Sequence, residues 1–235
     1  MLRLIQWRRG SELTALILGV SAALSLARSE PAGEWPDAFV SRIEALALMQ
    51  TLSAEILASR SATFILEKWC IDHRLAGTTE PKIVARLISG GDKPATLEQR
   101  ERLEVAPGDE IKFRRVQLLC GDRVFSEADN WYVPSRLTAA MNQLLETTTT
   151  PFGKAVQDLK PYRRTFGATV LWWPVPEGWE IKPMVAEPGD AAKRLRIPDS
   201  LFEHRAVLYT GSGTPFSEVD EVYKRGLLDF LPPLP

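Results

Sequence analysis

Residues 109–156 constrain the fold of this chain more than any other stretch, because two alternating runs, a turn and a proline follow one another there. Residues 111–120 alternate in the manner of a strand, and residues 121–123 supply a turn that begins with a glycine. Residues 124–133 form the return run, which Pro134 ends because proline cannot donate to a neighbouring strand. The pattern predicts a β-hairpin followed by a short helical crossover that ends near residue 159.

One charged side chain in the first strand of this hairpin indicates a candidate site. Strand alternation places Arg115 on the same face as Phe113 and Leu119. A guanidinium on an apolar face needs a neighbouring anion, because burial of an unpaired charge is costly. We therefore expect Arg115 to contact an anion inside the protein.

The rest of the chain has the periodicities of further helices and strands. Residues 37–59 space their apolar side chains as two short helices do, whereas residues 61–70 and 82–87 alternate like strands. Residues 162–173 are apolar on both sides at their end, which favours a central strand. The other predicted elements are a helix or exposed strand at 97–104, a surface excursion at 174–198, a hairpin of 204–210 and 216–225, and an apolar tail at 226–235.

A chain rich in hairpins and poor in strand–helix–strand alternation favours an α+β fold. We expect a single antiparallel sheet of about six strands with helices on one face and a ligand cavity between the two layers. A chain of 235 residues with 45% hydrophobic and 25% charged residues can bury one sizeable core, so residues 37–235 are predicted to form one domain. The net charge of −1 gives no reason to expect a nucleic-acid partner.

The N-terminal segment has the three parts of a secretory signal. Arginines at positions 3, 8 and 9 precede the apolar run 13–26, and Ser25 and Ala27 are the small residues that a signal peptidase needs. We expect residues 1–27 to be a cleaved signal peptide and residues 28–36 a linker, which implies a periplasmic or secreted protein without stable membrane association. An uncleaved membrane anchor or an amphipathic soluble helix are the alternatives.

Five segments in order resemble the chorismate pyruvate-lyase family over roughly residues 63–222. They are FRRVQLLCGD, ADNWYVPSRLT, TTPFGKAV, YRRTFGATVLWW and HRAVLYTGSGTPFSEVDEVY. The resemblance implies the chorismate lyase-like fold, which also serves as a ligand-sensing domain in bacterial transcription regulators. It further implies elimination of pyruvate from chorismate to give 4-hydroxybenzoate, with neither a metal nor an organic cofactor.

The same resemblance assigns roles to particular side chains. Arg115 is expected to hold the ring carboxylate, and Glu221 to hydrogen-bond where the enolpyruvyl ether leaves. The match at Glu221 requires one inserted residue after Pro215, without which Asp220 takes its place. Arg205 is a further candidate for substrate binding, as the second cation for a dicarboxylate. Arg163 and Arg164 are alternatives for that role.

Two other functional interpretations stay open at this point. The chain could be an exported binding protein for a small aromatic carboxylic acid, using the same pocket without turnover. Export favours this interpretation, because chorismate is a cytoplasmic metabolite. Arg115 and Glu221 could also form an ion pair that only ties two strands together.

The two cysteines and two histidines complete the candidate residues. An exported chain with Cys70 and Cys120 allows a disulfide. The resemblance instead implies that Cys120 is a small core residue, and we expect both thiols to be free. His73 and His204 lie on different predicted elements without the companions that a zinc site needs.

Overall fold

The computed structural model describes residues 35–78, 80–181 and 193–230. The predicted signal peptide, and the predicted linker up to residue 34, lie outside the described residues. The helices are α1 (Phe39–Ala58), α2 (Ala62–Asp72), α3 (Leu97–Arg102), α4 (Ala139–Thr147) and α5 (Phe152–Ala155), with 3₁₀ turns at Pro134–Arg136, Gln157–Leu159 and Arg225–Leu228. The strands are β1 (Ile83–Leu87), β2 (Lys112–Cys120), β3 (Arg123–Tyr132), β4 (Tyr162–Val170), β5 (Ser200–Tyr209) and β6 (Pro215–Lys224).

These strands form one antiparallel sheet in the order β1-β2-β3-β6-β5-β4. The predicted α+β class and the single sheet of about six strands are confirmed. Both predicted hairpins are present, and Gly121 occupies the left-handed region (φ 58°) at the turn between β2 and β3. Pairing of β3 with β6 joins the two hairpins and forms the centre of the sheet.

The predicted central position of residues 162–173 is wrong, because β4 lies at an edge of the sheet. The apolar residues at the end of that run follow the strand rather than fill it. Leu171 and Trp173 are 44% and 59% exposed, whereas Val170, the last residue of β4, and Trp172 pack against the core. The apolar residues at the end of this run therefore did not indicate a strand that is buried on both faces.

The predicted strand at residues 61–70 is wrong, because this run forms α2. Its buried residues Leu66, Trp69 and Cys70 fall at helical spacing, and the side chain of Ser61 caps the helix by accepting from the backbone N–H of Phe64 (3.4 Å). A short apolar run fits both periods. Residues 39–58 likewise form a single helix, α1, and not two.

The sheet has two faces with different coverings. The helix-covered face includes Val116, Ala128 and Val219, and α1, α2, α4 and α5 pack on that side. The outer face includes Asp129 and Glu218, and the short helix α3 crosses it. Most helices thus gather on one face, and the space beneath them is where the predicted cavity should lie.

Cys70 and Cys120 form a disulfide between α2 and β2, so the prediction of free thiols is wrong. Both residues are completely buried. The error follows from the misassigned strand, since only a helix at residues 62–72 places Cys70 above the helix-covered face at the end of β2. The bridge closes a segment with a sequence separation of 50.

The folded core begins before the predicted domain boundary. Trp35, which the sequence placed in the linker, is 1% exposed, and its Nε1 donates to the carbonyl of Leu228 (2.9 Å). Trp69 donates in the same way to Leu227 (2.9 Å), which anchors the C-terminal 3₁₀ turn beneath α1 and α2. Among the helices of the described residues, none is both long and apolar enough to span a membrane.

Candidate functional site

Strand register separates the predicted site residues onto two faces of the sheet. Ala128 pairs with Glu221 and Glu221 with His204, so these three share the helix-covered face. One position along, Arg115 pairs with Asp129, Asp129 with Asp220 and Asp220 with Arg205. These four residues share the outer face, because successive residues of a strand point to opposite sides.

The expectation that Arg115 and Glu221 face one cavity is therefore wrong. The guanidinium of Arg115 donates to Asp129 through Nε (2.6 Å) and Nη2 (2.9 Å), and its side chain is 44% exposed. The hydrogen bond to Asp129 raises the pKa of Arg115. Arg115 thus has its anion, but this anion is a carboxylate of the outer face.

Arg205 and Asp220 also lie outside the helix-covered layer. Nε of Arg205 lies 3.2 Å from Oε1 of Glu203, and half of its side chain is exposed. Burial raises the pKa of Asp220 to about 6, and its Oδ1 has no hydrogen-bond partner. Neither side chain reaches the space between sheet and helices.

A cavity of about 50 Å³ lies between the helix-covered face and the N-terminal end of α2. Its apolar wall consists of Val116, Leu118, Ala128, Phe152, Leu208 and Val219. Its polar lining includes Arg60, Ser61, Thr63, Asn130, Arg163 and Glu221. Glu221 therefore lines a cavity between the two layers, whereas the arginine that accompanies it is Arg163 of β4.

The carboxylate of Glu221 is held from two sides. Nη2 of Arg163 donates to its Oε2 (2.9 Å), and the hydroxyl of Tyr223 donates to the same oxygen (3.0 Å). Burial opposes the charge on Arg163, but Glu221 outweighs it and the pKa of Arg163 is raised. Burial, reinforced by Glu221, raises the pKa of Tyr223 well above its ordinary value. This arrangement fixes one negative and one positive charge at the edge of the cavity.

His204 is a buried neutral neighbour of this pair. It is 1% exposed, its Nε2 lies 2.9 Å from the hydroxyl of Ser53 on α1, and its Nδ1 has no partner. Burial lowers the pKa of His204 to about 4, against an opposing effect of Glu221. The imidazole is thus uncharged near neutral pH.

Arg114 is a buried cation without a carboxylate partner in the described part of the chain. It is 5% exposed, and its only side-chain hydrogen bond to a described residue runs from Nη2 to the carbonyl of Thr150 (3.2 Å). Its Nε and Nη1 have no partner, and burial lowers its pKa. Asn130, which pairs with Arg114 across β2 and β3, also has an unpaired nitrogen, Nδ2, and is 3% exposed. Among the described residues, these three donor nitrogens lack an acceptor, as does Nε of Arg163 on the same face.

Sequence reasoning missed Arg114, although a signal for it was present. Val116, Leu118 and Cys120 share its face, whereas the face of Arg115 includes the polar Gln117. The more apolar side of a half-buried strand faces the core. No comparable signal marks Asn130, since its position depends on the pairing of β3 with β2.

This arrangement can bind an anion. A guanidinium presents parallel N–H groups that suit a carboxylate, and the Asn130 amide would add a further donor. Among the described residues, no cluster of histidine, cysteine, aspartate and glutamate is suited to hold a metal ion.

Comparison with solved structures finds likeness at low identity. The chain is similar to the effector domain of PhnF from Mycobacterium smegmatis, with 12% identity, a TM-score of 0.40 and coverage of 65% of this chain and 87% of that one. It is also similar to a GntR-family transcriptional regulator from Enterococcus faecalis V583, with 18% identity, a TM-score of 0.38 and coverage of 64% and 99%. These values are too low to support a statement about function.

Comparison of sequences identifies a relative that covers most of the chain. No family model matches. The uncharacterized protein y4mC of Sinorhizobium fredii (strain NBRC 101917 / NGR234) is 49% identical over 201 residues, which cover 86% of this chain and 84% of that protein. Such identity over most of both chains shows common descent. The chain therefore belongs to the same family as y4mC of Sinorhizobium fredii.

Proposed function

We propose that this protein binds a carboxylic acid between its sheet and helices, with the carboxylate held by Arg114 and Asn130. The observation that carries this proposal is the buried guanidinium of Arg114, whose Nε and Nη1 have no acceptor. A buried charge without a counterion destabilises a fold by several kcal/mol. A ligand carboxylate would supply the missing charge and accept from both arginine nitrogens.

The proposed site keeps the pairing of an arginine with Glu221 that the resemblance implies, but Arg114 takes the place of Arg115. Arg114, not Arg115, shares a face with Glu221. Of the proposed residues, Asn130 and Glu221 line the cavity, whereas Arg114 lies beside Asn130 and lines a separate groove of about 550 Å³. Much of the cavity wall is apolar, which suits the hydrocarbon part of an acid. A small aromatic acid is the ligand class that the resemblance implies.

Substitution of Arg114 by methionine tests this proposal through two opposite effects. Without ligand, Arg114→Met should raise the free energy of unfolding by about 1–3 kcal/mol, because it removes an unpaired buried charge. Affinity for benzoate, 4-hydroxybenzoate and butyrate should fall about ten- to a hundredfold, since a charge-assisted hydrogen bond contributes about 1.5–3 kcal/mol. Urea unfolding and isothermal titration calorimetry measure the two effects.

Arg115→Met is the matched control, since it makes the same change one residue away on the outer face. It should leave acid binding unchanged and lower stability by about 1–2 kcal/mol, because buried Asp129 loses two hydrogen bonds from Arg115 but keeps its ion pair with Lys93 (3.1 Å). Loss of binding in Arg115→Met, with Arg114→Met unaffected, would refute the assignment.

The second candidate function is chorismate lyase activity, which the position of Glu221 on the cavity wall favours. In that reaction Arg114 would hold the ring carboxylate and Glu221 would act where the ether bond breaks. One observation favours binding without turnover. Glu221 already accepts from Arg163 and Tyr223, so its carboxylate oxygen Oε2 is engaged within the protein.

A direct assay separates the two candidates. Chorismate is incubated with the purified protein, and release of 4-hydroxybenzoate is followed by chromatography. A binding protein should release no more product than buffer does. Release that depends on Glu221, and is therefore lost in Glu221→Gln, would establish the lyase.

Export to the periplasm or beyond is part of the same proposal. The Cys70–Cys120 disulfide supports an oxidising compartment, because such bridges are rare in reducing cytosol. It agrees with the basic, apolar and small-residue order of residues 1–27. A binding protein outside the cytoplasm would meet acids from the surroundings.

A further inference from the structure

The cavity adjoins a larger groove on the protein surface. Both spaces have Arg60, Ser61, Gly153 and Pro161 in their linings. The groove measures about 420 Å³, against about 50 Å³ for the cavity. The shared residues come from the turn before α2 and from the α5 region, so they lie between the inner and the outer space.

The volumes limit what each space can hold. A cavity needs about 10–15 Å³ for one water and about 150 Å³ for benzene. The inner cavity therefore has room for a carboxylate-sized group but not for a ring. Whatever is attached to a carboxylate bound at Asn130 must extend past these shared residues into the groove.

The groove has an apolar wall and an excess of positive charge. Phe64, in the first turn of α2, is 64% exposed and lines it. The charge of Lys154 is paired with Glu67 (2.7 Å), whereas Arg60 and Lys160 form no ion pair with a carboxylate of the described residues. An acid with an apolar substituent complements both properties, because the cations attract its charge and Phe64 contacts its hydrocarbon.

We propose that the groove holds the apolar substituent of an elongated carboxylic acid, which lies across Phe64 while the carboxylate occupies the inner cavity. The ligand class is thus an amphiphilic acid with a linear chain. This inference rests on the proposed carboxylate site and deepens it: Asn130 lines the inner cavity, and Arg114 is its neighbour on β2.

Straight-chain acids from butyrate to decanoate are the probes, titrated calorimetrically into the intact protein below their micelle concentrations. Each buried methylene contributes about 0.8 kcal/mol, or about a fourfold gain in affinity. Because an open groove buries a chain only partly, we expect about a twofold to fourfold gain per methylene up to the length of the groove. Octanoate, which has about four more methylenes than butyrate, should therefore bind about 16-fold to 250-fold more tightly.

Phe64→Ser should remove most of this gain and lower octanoate affinity far more than butyrate affinity, since the Phe64 side chain lines the groove and stands outside the inner cavity. Leu97→Ser is the matched control, because Leu97 is 79% exposed on α3 over the outer face. It should alter neither affinity.

Each result has a definite meaning. Equal affinity for butyrate and octanoate, with binding still lost in Arg114→Met, would overturn the groove inference and leave the carboxylate site standing. A gain with chain length that persists in Phe64→Ser would also overturn it. Failure of every acid to bind would overturn both proposals.

Discussion

Two buried groups should make the stability of this protein respond to acid with opposite signs. His204 lies on the helix-covered face, and burial lowers its pKa from 6.5 to about 4. Asp220 lies on the outer face, and burial raises its pKa from 3.8 to about 6. Because the two pKa values are shifted in opposite directions, the two groups change the free energy of unfolding with opposite signs between pH 7 and pH 5. These changes partly cancel in the unmodified protein.

The sign for His204 follows from its lowered pKa. Between pH 6.5 and about 4, the unfolded chain takes up a proton that folded His204 does not. Stability that is present above pH 6.5 is therefore lost as the pH falls towards 4. The loss amounts to about 3 kcal/mol in full, of which about 2 kcal/mol falls between pH 7 and pH 5.

The sign for Asp220 is the reverse. The contribution of Asp220 to the free energy of unfolding is fully present below pH 3.8, where the carboxyl group is protonated in both the folded and the unfolded state. This contribution is lost as the pH rises through about 6. The full difference would be about 3 kcal/mol, but Asp220 is only half-buried and solvent screens its charge. We therefore expect a gain of only about 1 kcal/mol between pH 7 and pH 5.

Urea unfolding followed by tryptophan fluorescence at pH 7 and pH 5 separates the two effects. When the pH is lowered from 7 to 5, these two groups together should lower the unfolding free energy of the unmodified protein by about 1 kcal/mol. The same change of pH should lower the unfolding free energy of Asp220→Asn by about 2 kcal/mol and raise that of His204→Gln by about 1 kcal/mol. Other titrating groups are common to all three proteins and cancel in the differences. The reasoning about His204 is refuted if the difference between His204→Gln and the unmodified protein does not change with pH.

Three further predictions follow from single features. Replacement of Cys70 and Cys120 by serine should lower the unfolding free energy by about 2–4 kcal/mol, as expected for a bridge closing a long loop, and thiol labelling of the unfolded, non-reduced protein should find no free thiol. Gly226→Ala should destabilise the protein by about 1–3 kcal/mol, because the added Cβ would clash with a backbone carbonyl of β3. Gly108→Ala should have little effect, because no atom lies within 4 Å of its added Cβ. Equal melting temperatures of the two variants would contradict this prediction. N-terminal sequencing after expression in a bacterial host should begin within a few residues of Arg28, and recovery of the intact N-terminus in the soluble cytoplasmic fraction would contradict export.

Local patterns were sufficient for much of the fold. The alternation of residues 111–133, the glycine of the turn and Pro134 predicted the β2–β3 hairpin nearly to its ends, and the final hairpin was found in the same way. Such features depend on backbone preferences and on neighbours close in sequence. The class of the fold followed from their number and order.

Tertiary structure decided the properties that depend on distant partners. Residues 61–70 fit two periods, and only packing against the sheet made them a helix and brought Cys70 to Cys120. In β2 the alternation was predicted correctly, but the choice of inner face was not. That face is set by the helices that cover it, and it buried Arg114 while leaving Arg115 on the outer side. Successive residues of a strand point to opposite faces, so local sequence can place two arginines on opposite sides without determining which of them the helices bury.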